Sequence, residues 1–152
     1  MSATAVGSAE LLLKLYELRT NAELRASREW FVHRFHPQGA EEAFAMWMSK
    51  DSASYRQVTT YWEMAATFVR HGAIDEAMFH AANTEHVAII AKLGPFLGEL
   101  RRLARMPDYL LQLEGLVLSM PESEARLSSL RRYQKHKAAQ VGSSPPPCAE
   151  QA

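Results

Sequence analysis

Apolar positions are densest between Tyr55 and Gly72, in the stretch YRQVTTYWEMAATFVRHG. Wound at roughly 100° per residue, Tyr55, Val58, Trp62, Ala65, Ala66 and Val69 form one stripe, and Tyr61, Met64 and Phe68 widen it beyond an ordinary amphipathic face. A helix this apolar needs more than one neighbour to cover it. The narrow remaining sector holds Arg56, Thr60, Glu63, Thr67 and Arg70. The pattern therefore predicts a central helix over residues 53–71, with Ser52 as its cap. Gly72 stops it, since glycine takes the left-handed conformation after a helix without steric cost.

The other elements follow from the same periodicity. Ser8 is the expected cap of a long first helix, with Leu11, Leu15, Leu18 and Ala22 on one stripe that drifts to Leu24, Phe31 and Phe35 before Pro37 and Gly39 end it. A short helix is expected from Ala40 to Met48, with Phe44, Trp47 and Met48 inward. A second short one runs from Ile74 to Ala82, opened by Asp75 and Glu76 and burying Ile74, Met78 and Phe79. Asn83 or Thr84 caps the next, whose stripe is Val87, Ile90, Leu93 or Gly94, Leu97 and Leu100. Pro95 lies within that stripe and lacks the N–H that would bond the Ala91 carbonyl, which predicts a kink. Pro107 and Asp108 are expected to open a helix with Leu110, Leu113, Leu116, Val117 and Met120 inside. Ser119 to Glu122 reads as a capping box, with Pro121 in the first turn of a last helix carrying Leu127 and Leu130.

No segment alternates with a period of two, so the fold class is all-α: a single-domain bundle of about six to seven helices, three or four long and two or three short. Residues 1–7 are expected to be a flexible N-terminus, residues 8–139 the helical domain, and residues 140–152 a disordered tail rich in proline and serine. At 152 residues and 47% hydrophobic, the chain suits one core. Lys and Arg number 17, as do Asp and Glu, so no overall field favours nucleic acid or anionic lipid. Cys148 is the only cysteine, which excludes a disulfide scaffold. Glu10, Lys14, Glu17 and Arg19 interrupt the N-terminal apolar residues, so neither a signal peptide nor a transmembrane segment is expected, and cytoplasmic is the expected address.

Candidate chemistry is sparse. His33 and His36 follow Glu29, while His71, His80 and His86 lie near Glu63 and Glu85, but neither a paired Glu-x-x-His nor a His-Glu-x-x-His motif occurs. No metal ligand, cofactor or catalytic residue is assigned. The first candidate site is the polar strip Arg56, Glu63, Arg70 and His71, where Glu63 stands two turns from each arginine and could pair with either. The second is the basic end of the last helix, Arg131, Arg132, Lys135 and Lys137, which lacks any recognition motif and so implies no specific nucleic-acid partner.

Tyr61-Trp62-Glu63, Ala66, Phe68-Val69, Gly72, Ile74-Asp75-Glu76 and Phe79, followed by Leu93, Pro95, Phe96 and Arg101, resemble the pattern of a bacterial family of small all-helical proteins known only as a domain of unknown function. The resemblance covers about residues 30–102 and implies a fold but no activity. Some of its members carry an N-terminal membrane anchor, which is not expected here. The sequence reads best as a non-enzymatic protein-interaction module, its partner an unknown protein or a second copy. One alternative is a small-molecule- or metal-binding enzyme using the polar strip with His71 or His86. The other is a peripheral binder of nucleic acid or anionic lipid through the basic C-terminal helix.

Overall fold

The computed structural model describes residues 3–142, and these are helical with no strand among them. In chain order the helices are α1 (Ala5–Thr20), α2 (Ala22–His33), α3 (Ala40–Met48), α4 (Ala53–Arg70), α5 (Glu76–Ala82), α6 (Glu85–Leu93), α7 (Leu97–Ala104), α8 (Leu111–Leu118) and α9 (Ser123–Gly142). A 3-10 turn, Gly94–Phe96, joins α6 to α7. The described residues thus hold eight helices if α6 and α7 are taken as one kinked element, against the six to seven expected. Residues beyond Gly142, where most of the expected tail falls, lie outside the described residues.

The extra helix comes from Asn21. Its backbone leaves the helical region (φ −54, ψ 134) and its Oδ1 accepts from the N–H groups of Glu23 and Leu24, so it ends α1 and caps α2 in one residue. Asparagine favours this because its short amide competes for backbone groups. α1 also starts earlier than expected: Thr4, not Ser8, is its cap, its hydroxyl accepting from Gly7 N–H at 3.0 Å. Ser8 is fully buried instead and receives the N–H of Asp75 at 2.9 Å, pinning α1 to the start of α5.

α4 lies at the centre, packed by α2, α3, α5 and α8. Tyr55, Val58, Tyr61, Trp62, Ala65, Ala66 and Val69 are all buried, as its width of apolar face requires, while Met64 and Phe68 stay about one-third exposed. Ser27 ties α2 to α4 by donating to Gln57 Oε1 at 2.9 Å. Beside it Phe31, Phe35, Trp47, Tyr55 and Tyr109 form an aromatic cluster, with Trp47 and Tyr109 stacked at 4.2 Å and the Tyr55 and Tyr109 hydroxyls 2.7 Å apart. Gly72, at φ 75, turns the chain out of α4 and lets Ala73 N–H return to the Phe68 carbonyl.

Pro95 makes the kink expected of it. Elsewhere the second half departs from the sequence reading. Pro107 and Asp108 open no helix; α8 begins only at Leu111, after a turn that places Leu110 in the left-handed region (φ 53) so that its side chain can be buried. Arg101 holds this turn, donating from Nε to the Tyr109 carbonyl at 2.9 Å and from Nη2 to Glu114 at 2.7 Å. The Ser119–Glu122 capping box does not form either. Glu122 takes a positive φ of 56, Pro121 lies before α9, and Ser119 Oγ donates to the Leu116 carbonyl and Glu76. No described helix is long and apolar enough to cross a membrane.

Candidate functional site

The polar strip of α4 is not the ion-paired seam its spacing suggested. Arg56 turns towards α3, donating to Ser52 Oγ at 3.1 Å and the Trp47 carbonyl at 3.3 Å. Glu63 points to α8, where Oε1 accepts the N–H of Gln112 at 3.0 Å and Oε2 that of Leu113 at 2.8 Å. These are N–H groups of the first turn of a helix, which have no partner within it, and the carboxylate also meets the positive end of the helix dipole. Arg70 reaches the same helix end differently, donating to the Gln112 side chain at 3.0 Å, with its guanidinium against Gly115. A methyl group on Gly115 would stand only 2.8 Å from Arg70 Nη1. Glu63 and Arg70 therefore converge on α8 without pairing, while His71 is the exposed C-terminal cap of α4.

The strongest polar cluster lies on the other side of α4. Glu85 accepts from Arg28 through both oxygens, Nε to Oε1 at 2.9 Å and Nη2 to Oε2 at 2.6 Å, and Oε1 also receives the Trp62 indole N–H at 3.1 Å. The Glu85 hydrogen bond raises the Arg28 pKa against the opposing effect of burial. The Arg19 guanidinium lies 5.7 Å from the Trp62 ring. One node thus joins the end of α1, the middle of α2 and the start of α6 to the middle of α4. Its members are far apart in sequence, and no local motif marks them.

His86 is next to this node and fully buried. Its Nε2 stands 3.0 Å from His80 Nδ1, its Nδ1 has no hydrogen-bond partner, and His80 Nε2 lies 3.5 Å from Glu76. Burial, followed by the neighbouring His80, pushes the His86 pKa down to about 3, so its ring is neutral at ordinary pH. His36 Nε2 faces the His33 carbonyl at 3.1 Å, the role of a histidine at a helix end. Among the described residues, no three His, Cys, Asp or Glu side chains stand together as a metal site.

The basic end of α9 divides in two. Arg131 Nε donates to the Ala91 carbonyl at 3.1 Å, the group that Pro95 leaves without its helical N–H, and Gln134 donates to the Ala88 carbonyl at 3.0 Å. Lys137 lies over the Tyr133 ring at 5.8 Å, while Arg132 and Lys135 are exposed. Opposite them is a cation that the sequence reading missed. Lys92 is only 8% exposed, its ammonium donates to the Phe31 and Val32 carbonyls at the end of α2, and burial lowers its pKa to about 8.

Comparison with curated proteins and with solved structures gives no match. A family model does match, over residues 4–120, wider than the stretch whose pattern is legible by eye and ending before α9. It takes in α1 to α8 with the Glu63 cap, the Glu85 node and the kink at Pro95. The chain belongs to the family described as Domain of unknown function (DUF4760).

Proposed function

We propose that the chain is a non-enzymatic interaction module that pairs with a second copy of itself through α1. The observation that carries this reading is a stripe on the outer face of that helix. Val6, Ala9, Leu13, Tyr16 and Thr20 are all exposed, Val6 and Leu13 at 69% and Tyr16 at 59%. Their spacing alternates three and four residues, which is the seam of a coiled coil rather than of a solvated helix. The inner face is already committed: Ser8 binds Asp75 N–H, Leu15 is buried, and the Tyr61 hydroxyl donates to the Leu15 carbonyl at 2.7 Å. α1 is thus held firmly while presenting a second apolar face.

A second copy fits that seam by size. In an antiparallel pair, Leu13 meets Ala9 of the other copy and Tyr16 meets Val6, so large side chains face small ones throughout. Lys14, whose present partner is Glu17 at 3.7 Å, comes within reach of Glu10 of the other copy. Leu11 and Leu18, expected on the inner stripe with Leu15, are 37% and 47% exposed and lie on the side of the helix away from this seam, so they take no part in it. The pairing is short, since a 16-residue helix spans about 24 Å, so dimerisation is expected to depend on concentration. Sedimentation velocity of the full chain over a dilution series tests it. A monomer–dimer equilibrium is expected, abolished by Leu13→Glu with no loss of thermal stability, because position 13 is exposed in the monomer. A wild-type chain that stays monomeric at the highest attainable concentration would overturn the reading.

A further inference from the structure

α9, the loop between α2 and α3, and the kink after α6 border an open cleft of about 480 Å³, within the roughly 300–1,000 Å³ typical of small-molecule sites. Four basic side chains line it, from three separate parts of the chain: His36 from the loop, Lys92 from α6, and Arg131 and Lys135 from α9. No Asp or Glu is in the lining. On the loop side Glu42 accepts the backbone N–H of Gln38 at 2.8 Å.

Two of the cations, Arg131 and Lys92, are set in place by backbone carbonyls, while Lys135 is exposed beside them. Arg131 is anchored by Nε on the Ala91 carbonyl and passes over Gly94, where a methyl group would come within 3.2 Å of Nη2. Its two terminal nitrogens take no hydrogen-bond partner among the described residues, leaving a planar fork of donors open to the cleft. Such a fork matches two oxygens of one phosphoryl group. Lys92 is fixed by the carbonyls at the end of α2. Burial, and after it the charge of Lys92, lower the His36 pKa, so the ring is held neutral until an anion enters.

We propose that this cleft binds a phosphate monoester group, carried on a small molecule or a lipid headgroup, with Arg131 as the oxygen fork, Lys135 and Lys92 supplying the remaining charge, and His36 in the lining, where a bound anion favours protonation of its ring. A duplex or single strand would need a track of cations to follow its phosphates. Here the basic residues line a single cleft instead.

The test is calorimetric titration of the full chain with inorganic phosphate and glycerol 3-phosphate, alongside flotation with phosphatidylcholine vesicles with and without phosphatidic acid. Saturable one-site binding is expected, weakened at least tenfold by His36→Gln with Lys135→Gln and by Arg131→Gln, and changed less than twofold by Arg132→Gln outside the cleft. Because Arg131 also helps dock α9, the imidazole NMR signals of His36 in the wild-type chain provide a readout free of any folding defect, and they should shift on titration. Vesicle binding alone, with the same variant pattern, supports the site and assigns the ligand to a headgroup. The proposal is overturned if neither probe binds, if Arg132→Gln weakens binding as much as the cleft variants, or if binding leaves His36 unmoved.

Discussion

Glu63 caps a helix to which it does not belong, its Oε2 accepting the N–H of Leu113 at 2.8 Å across 50 residues of sequence. The reason lies in Leu110, which holds the capping position of α8 with an apolar side chain and a positive φ, so it offers no acceptor. A carboxylate from the neighbouring helix takes that place and binds α4 to α8 as it does so. Glu63→Gln keeps one acceptor oxygen but loses the charge at the dipole, and is expected to cost about 1 kcal/mol. Glu63→Ala removes both bonds and is expected to cost about 1–2 kcal/mol. Urea unfolding of the two variants checks the order, and wild-type midpoints for both would show that the cap contributes nothing.

Trp62 is 1% exposed and is both packing and anchor, with Tyr61, Phe79 and His86 around its ring and Glu85 on its N–H. Trp62→Ala leaves a large cavity and is expected to cost roughly 3–5 kcal/mol. Trp62→Phe fills most of the volume but abandons the Glu85 oxygen, so it should fall between the two. Chemical denaturation monitored by circular dichroism measures both. An alanine variant as stable as an exposed substitution would contradict the central place of α4.

His86 makes the fold sensitive to acid. Its pKa is about 3 when folded, against an ordinary 6.5, so between those values the unfolded chain holds a proton that the native ring does not. Stability therefore rises with pH across that window and is lost as pH falls through it. By pH 5 the cost from this ring alone is on the order of 2 kcal/mol. Glu76, Glu85 and Arg28 surround the pair and add their own pH dependence, so the measurement is a comparison. Thermal midpoints of wild type and His86→Asn between pH 4 and 7 should converge towards acid, and parallel curves would show that His86 does not titrate on unfolding.

The helical periods made the cores of α4, α5, α6 and α7 legible, because each buries a stripe that its own sequence spells out, whereas in α3 Trp47 is buried with Ala43 and the expected inward Met48 is 53% exposed, at the helix end where the chain turns away. Local signals failed where a long-range partner set the outcome. Asn21 reads as an ordinary polar residue of a long helix until its side chain is seen capping the next one. Leu110 looks like the inside of a helix, yet its burial requires the turn that delays α8. Glu63 had the right spacing for Arg56 and Arg70, and the sequence held no sign that two N–H groups of α8 would compete for it. Lys92 sits in an apolar stripe where a lysine reads as exposed, and only the carbonyls ending α2 explain its burial. The outward stripe of α1 has the same coiled-coil spacing that a buried face shows, so exposure could be read only from the packing.

Glu85 and Arg28 provide the sharpest test of how the bundle is tied together. Their side chains are 17% and 22% exposed, and the pair is bidentate with an additional indole donor, so it lies between a screened surface pair and a fully buried one. Removing either partner strands the other in a largely dry place. Glu85→Leu or Arg28→Met alone is expected to cost about 2–4 kcal/mol, up to the range seen when a buried pair is broken. The double variant strands neither charge, so it should cost less than the sum of the two by at least about 1 kcal/mol. A urea double-mutant cycle reads that difference directly. Strict additivity would mean that the two charges are each solvated on their own and that α2 and α6 are held together by packing alone.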